Sequence, residues 1–274
     1  MNKYIKPNPK NHFNLFLKLL DSNTPFSYIR FSDGEVEVLR NRDLVISNRK
    51  IIFRGKEYKN KYPQLDSKKF SPLFDKDFRK DLLESSLYKN KYFYKGIRTF
   101  SISDPEALID REFLLRLNGG FDEYITFTDL LINENYLLFR SKMLPFIFNS
   151  NKRLVVVSNW RSKIKFDYYK HIKVNDNFIQ NYQDELKNIF SNLIKIPSGS
   201  IVMCSASSLT NILGYKLFKK RRDITFLDVG TAINDLLSLP INTRTYHKFL
   251  TEYKNYSYLH KCFKLFINDL LINW

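Results

Sequence analysis

Unbroken apolar runs that alternate with helical stretches constrain this chain more than any other feature. Arg153-Leu154-Val155-Val156-Val157-Ser158, Ser200-Ile201-Val202-Met203-Cys204 and Ile224-Thr225-Phe226-Leu227-Asp228 read as strands, with helical stretches at Tyr182 to Ile194 and Ser208 to Phe218. A strand with one wet face alternates apolar and polar residues, whereas a continuous apolar run is buried on both faces. That pattern predicts an α/β chain of Rossmann-like type, with a mainly parallel sheet and helices on both faces. In such sheets ligands collect beyond the carboxyl ends of the strands. The informative residues therefore lie just after each strand: Asp33 and Glu35, Asn159-Trp160-Arg161, Ser205 to Ser208, and Asp228-Val229-Gly230.

The same reading extends to both sides. His12 to Leu20 is helical, and Phe26-Ser27-Tyr28-Ile29-Arg30-Phe31 is a strand. Asn48 to Pro63 reads as loops or an insertion, with Ile51 to Phe53 as a short strand. Phe74 to Leu87 is helical by the spacing of Phe74, Phe78 and Leu82, Lys91 to Ile97 is a strand, and Thr126 to Leu144 reads as one long helix. No repeat or low-complexity linker divides the chain, so one domain is expected over 1–274, with a core at about 26–236 and a helical extension at about 242–274.

At 274 residues, 43% of them hydrophobic, the chain has ample material for a core. A mean hydropathy of −0.37 argues against an integral membrane protein, and no apolar stretch approaches the roughly 20 residues needed to span a bilayer. The first residues lack a signal-peptide core, so a cytoplasmic location is expected. Cys204 and Cys262 have no metal-ligand spacing and read as reduced, buried thiols. A formal charge of +17 points to an anionic partner: a phosphate-bearing substrate, nucleic acid or acidic lipid. Asn, Lys, Ile, Phe and Tyr dominate throughout, however, and much of the lysine has the look of a solvated surface.

Ser32-Asp33-Gly34-Glu35 places two carboxylates directly behind a strand. Together they can present oxygen to one hard cation, Mn²⁺ or Mg²⁺, while the glycine admits the cation's cargo. The alternative is that the acids serve the amino end of a helix starting near Glu35. Cys204-Ser205-Ala206-Ser207-Ser208 brings hydroxyls and free amides to a helix start, which makes an anion site, or else Ser207 or Ser208 is an N-cap. Asn159, Trp160 and Arg161 combine an amide, an aromatic face and a guanidinium, a set that can read a base and neutralise phosphate; the alternative is a tryptophan that anchors its loop. Arg30 either contacts a diphosphate or pairs with Asp33 or Glu35 to hold the turn. Asp228, two residues before Gly230, either binds a ribose or sugar hydroxyl or closes its strand in an ordinary Asp-x-Gly turn. Gly-rich dinucleotide and P-loop motifs are absent, and none of the four histidines sits in a ligand-spaced pair.

Arg30-Phe31-Ser32-Asp33-Gly34-Glu35, with Phe226-Leu227-Asp228-Val229-Gly230-Thr231-Ala232 after the serine-rich loop, resembles the bacterial glycosyltransferases of the GT-D fold type. Those proteins carry Arg-Phe-Gly-Asp-Gly-Glu near the N-terminus and an aspartate-valine/isoleucine-glycine segment after the last core strand. This chain departs from them in having Ser32 for glycine and a basic stretch from Lys50 to Lys69 with no clear counterpart. The resemblance implies transfer of a sugar from a nucleoside diphosphate donor, a UDP-sugar by preference, to a surface glycan or lipid-linked acceptor. It implies a metal held by Asp33 and Glu35; the donor contacts expected from the residues at the strand ends are Arg30, Asn159, Trp160, Ser205, Ser207, Ser208, Asp228 and Gly230. Asp235, Asp129 and Glu134 are the candidates for a base. An amphipathic segment from Tyr258 to Leu271 is expected to pack on its own domain or a second subunit, with an acidic membrane face as the alternative. A nucleic-acid-binding protein and a metal-dependent phosphoesterase are the rival readings; the first lacks a recognisable binding module and the second lacks further ligands.

Overall fold

A computed structural model describes residues 9–61, 67–98, 105–241, 244–248 and 250. Helix α1 (Pro9–Asp21) leads into β1 (Ser27–Arg30) and the short helix α2 (Asp33–Leu39). Four short strands follow, β2 (Leu44–Ile46), β3 (Lys50–Phe53), β4 (Lys56–Lys59) and β5 (Lys68–Phe70), and they form a separate antiparallel sheet in the order β4-β3-β2-β5. Next come α3 (Lys76–Leu87), β6 (Phe93–Ile97), α4 (Pro105–Asn118) and β7 (Ile125–Phe127). Helical turns α5 (Tyr136–Leu138) and α6 (Leu144–Asn149), joined by a π-helical stretch (Phe139–Met143), precede β8 (Leu154–Asn159) and β9 (Lys170–Val174). The described core closes with α7 (Tyr182–Ile194), β10 (Ile201–Ser205), α8 (Leu209–Lys220) and β11 (Thr225–Asp228).

Seven of these strands make one sheet in the order β7-β6-β1-β11-β10-β8-β9, every neighbouring pair parallel. The expected parallel α/β architecture is thus present, with two further strands at its edges. Side chains alternate between two apolar layers. Ile29, Val155, Val157, Val202 and Phe226 pack under α3, α7 and α8, whereas Tyr28, Val156, Met203 and Leu227 pack against α1 and the Tyr136 to Met143 turns. Gly214 lets α8 lie close on the sheet, since a Cβ there would fall 2.5 Å from Ile29 Cγ2. The register sets Cys204 beside Asp228, and Ser205 beside Ser158, so the strand ends that carry the candidate residues are level.

Two expectations change, and one strand is added. Thr126 to Leu144 is not one helix: Ile125-Thr126-Phe127 pairs with β6, and only after 3-10 turns does helical structure begin. A short apolar run with β-branched residues suits either state, and the open edge of β6 decides between them. The short strand expected at Ile51 to Phe53 is present within β3, but it is not set among loops: it pairs with β2 and β4 in the small sheet. Its β4 is wholly exposed, so little periodicity was there to read. Lys170–Val174 adds the edge strand β9, mostly polar and pairing on one side only. Cys262 and the amphipathic segment from Tyr258 lie outside the described residues. Among the described residues, no helix is long and apolar enough to cross a membrane.

Candidate active site

Arg30 ends β1 and Asp228 ends the adjacent β11, so pairing of the two strands brings the two motifs together. Arg30 Nη2 donates to Asp228 Oδ1 at 2.8 Å, and the Arg30 backbone N–H donates to Oδ2 at 3.2 Å. Burial opposes the guanidinium charge, but Asp228 outweighs it, and the pKa of Arg30 is raised. Asn211 Nδ2 on α8 donates to the Arg30 carbonyl at 2.7 Å. Gly230 is needed here: its φ is +44°, and a Cβ would fall 1.8 Å from Arg30 Nη2. Arg30 therefore pairs with neither Asp33 nor Glu35, and Asp228 is a buried partner of Arg30 rather than a free group at a pocket rim.

The two acids of the turn have different settings. Ser32 is the N-cap of α2, and Glu35 Oε2 accepts its N–H at 3.0 Å, leaving the glutamate 7% exposed. The Asp33 side chain is 56% exposed; its Oδ1 accepts the Gly34 N–H, and its Oδ2 lies 3.8 Å from Nη1 of Arg98, just beyond β6. The capping reading thus describes Glu35, while Asp33 faces solvent. Among the described residues, no three carboxylate, histidine or cysteine side chains gather as a metal cage. Two carboxylates do suit Mg²⁺ or Mn²⁺ that takes its other ligands from phosphate and water.

Ser205, the last residue of β10, is half-buried, and just beyond it Ser207 adopts a left-handed φ of +51°. Ser208 stands at the N-cap of α8, yet its hydroxyl makes no capping bond. Instead Lys68 Nζ, from β5, donates to Ser207 Oγ at 2.9 Å and to Ser208 Oγ at 3.3 Å. The same Nζ is 3.3 Å from where a Cβ on Gly34 would stand. The acidic turn and the serine loop, 173 positions apart as Gly34 and Ser207, thus flank one ammonium. Lys68 escaped the sequence reading; the one available signal was its two-residue spacing from the apolar Phe70 within a lysine-rich stretch.

Asn159-Trp160-Arg161 gathers around Asp176, which lies just past β9. Asp176 accepts from Asn159 Nδ2 at 2.8 Å, Trp160 Nε1 at 3.1 Å and Arg161 Nη2 at 3.1 Å. Trp160 is 49% exposed, so it is a held, outward-lying ring rather than a buried anchor. Of the base candidates, Asp235 is engaged by both Arg140 Nη1 and Nη2, at 3.0 and 2.9 Å, and Asp129 accepts from Asn133 Nδ2 at 2.9 Å. The side chain of Glu134 lies outside the described residues. Burial pushes the Cys204 thiol well above its usual pKa, which makes it a core group. A concavity of about 510 Å³ opens at the amino ends of the strands, lined by Lys152, Arg153 and Asp223 among others, and includes none of these residues.

Two solved structures share this architecture. One, a selenomethionine-substituted structure of domain of unknown function 1792 (DUF1792), aligns with a TM-score of 0.51 at 16% identity, covering 80% of this chain and 77% of that one. The other, described as a new glycosyltransferase (DUF1792) from Streptococcus sanguinis, gives a TM-score of 0.50 at 14% identity, with 80% of each chain covered. The chain has the DUF1792 fold. The fold expected from the GT-D resemblance is the one found. No protein-family model matches the sequence, and comparison with curated proteins gives no match either.

Proposed function

We propose that this protein is a glycosyltransferase that moves a sugar from a nucleoside diphosphate sugar, with UDP-sugars preferred, to a surface glycan or lipid-linked acceptor. One observation carries the reading: at the carboxyl end of a DUF1792-fold sheet, the acidic turn of Asp33 and Glu35 and the serine loop at the start of α8 meet, next to the buried Arg30–Asp228 pair. Asp33 offers an exposed carboxylate for Mn²⁺ or Mg²⁺, with Glu35 alongside it on the same turn. When bound, such a cation supplies charge neutralisation for the departing diphosphate. The Arg30–Asp228 pair, neutral as a whole, fixes the two strand ends beneath the turn, and a preorganised site of this kind needs no rearrangement as the reaction proceeds. The amino end of α8 adds partial positive charge there. β8 lies three strand spacings from β1, about 14 Å, a span suited to a donor whose base reaches the face of Trp160 while its diphosphate lies near Asp33.

Thermal shift with UDP, GDP, CMP and their sugars, with and without Mn²⁺, tests the assignment. Stabilisation by one nucleoside diphosphate, enhanced by Mn²⁺ and weakened in Asp33→Asn, is the expected result. Indifference to all of them would remove the donor site.

A further inference from the structure

We infer that Lys68, carried in by the small antiparallel sheet, is a phosphate-binding cation of the donor site, seating the diphosphate against Ser207, Ser208 and the amino end of α8. The inference rests on the transferase reading above and adds a residue that neither sharp motif contains.

The strand fixes the lysine. In β5, Lys68 and Phe70 turn inward while Lys69 turns out, with Phe70 in the core and Lys68 only 8% exposed. One edge of β5 pairs with β2, setting Lys68 opposite Ile46. On its other side Asn177 grips the backbone, its Oδ1 accepting the Lys69 N–H at 2.8 Å and its own N–H donating to the Ser67 carbonyl at 2.8 Å. The backbone that carries Lys68 is therefore held from both sides.

Among the described residues, nothing neutralises its charge. Nζ has two serine hydroxyls as acceptors, and among the described residues no carboxylate stands within 4 Å of it. Hydroxyls satisfy donors but do not neutralise them, and a buried cation without a counter-charge is unfavourable. The nearby acids are directed elsewhere: Glu35 to its helix cap and Asp33 towards solvent and Arg98. A second positive element converges on the place, because α8 is 12 residues long and has Ser208 as its N-cap. Gly34 keeps the approach open, as any side chain there would crowd Nζ. An anion with several oxygens, able to accept from Nζ, from hydroxyls and from backbone amides at once, fits this set, and a diphosphate is such an anion. Lys68 forms no covalent bond to the substrate in this role; it stabilises charge that grows on the leaving group.

The test is calorimetric titration of the full chain with inorganic pyrophosphate and with UDP and GDP, with and without Mn²⁺. The nucleoside of whichever diphosphate binds serves as a phosphate-free control. Lys68→Met should weaken pyrophosphate and diphosphate binding about 10- to 100-fold, the effect of losing a charged hydrogen-bond donor, while nucleoside binding stays at the wild-type level. Lys68→Arg should restore part of the loss. Ser207→Ala, at an exposed position, should give a smaller loss with an unchanged melt, and carries the test if Lys68→Met does not fold. Diphosphate binding by Lys68→Met equal to wild type overturns the inference and leaves the transferase reading standing, as does an equal loss for nucleoside and diphosphate. If the wild-type protein binds neither pyrophosphate nor any nucleoside diphosphate, the transferase reading falls and Lys68 with it.

Discussion

Arg30 and Asp228, 198 positions apart in sequence, form a buried ion pair with Nη2 and Oδ1 2.8 Å apart. Each ends a strand, and each belongs to one of the two motifs on which the GT-D resemblance rests. The pair is thus the physical link between those motifs: the acidic turn begins two residues beyond Arg30, and Gly230 makes room for the guanidinium. The site is built on adjacent central strands, so its base is as rigid as the sheet.

Breaking this pair should be costly. Asp228→Asn or Arg30→Met leaves one buried group without its partner, and a stability loss of about 3–5 kcal/mol is expected in urea melts. Gly230→Ala should act through the same contact by driving Cβ into Nη2. In a double-mutant cycle, the combination of Arg30→Met with Asp228→Asn should lose less than the sum of the single changes; simple additivity would mean that the two groups are not coupled.

Asp33 and Glu35 should separate by phenotype. Asp33→Asn is expected to melt like wild type, because the side chain is exposed, yet to lose about 10²-fold or more in transfer rate. Glu35→Ala should cost about 1 kcal/mol through the lost cap, whereas Glu35→Gln, which can still accept the Ser32 N–H, should keep most of it. Wild-type turnover by a folded Asp33→Asn protein would contradict the role given to that residue.

Lys95 makes stability depend on pH. Burial lowers its pKa to about 8, with Nζ donating to the Ser86 carbonyl and to Asn118 Oδ1. Below pH 8 the lysine is charged in both folded and unfolded states, and the full penalty of burying it is present. Between pH 8 and the unfolded value of 10.5 the unfolded chain binds more protons, so stability rises with pH. Relative to Lys95→Met, the wild-type protein should gain up to about 3 kcal/mol across that window. A constant difference between the two proteins from pH 7 to 10.5 would show that Lys95 does not titrate in this way.

Asp176→Ala releases the indole N–H of Trp160, the Asn159 amide and one Arg161 contact together. Nucleoside diphosphate binding should weaken about tenfold with little change in melting. In a Trp274→Phe background the remaining tryptophan reports the event directly, and its fluorescence should respond to the nucleotide before the change and hardly at all after it.

The central strands were legible because their apolar runs admit one environment, a sheet covered on both faces. Edge elements were not. β7 has three residues, β9 is mostly polar and β4 is fully exposed, so their pairing is decided by neighbours distant in sequence. The same distinction applies within the site. Asp33, Glu35, Ser207 and Ser208 were visible because they directly follow buried strands or begin helices. Lys68 and Asp176 were not, since one is a lysine among lysines and the other follows an unrecognised strand. Asp228 was located correctly, but its partnership with Arg30 depends on strand order, which local sequence does not encode.

The strand order also bears on how the chain is made. Residues 27–127 contribute β1, β6 and β7 to the main sheet, and residues 154–205 contribute β8, β9 and β10. Neither trio touches the other until β11 slides between β1 and β10. During synthesis the ribosome releases two half-sheets, each with an unpaired apolar edge, and the last described strand closes both edges at once. Until Asp228 emerges, Arg30 has no counter-ion, and any product terminated before Thr225 keeps two sticky edges open to other chains.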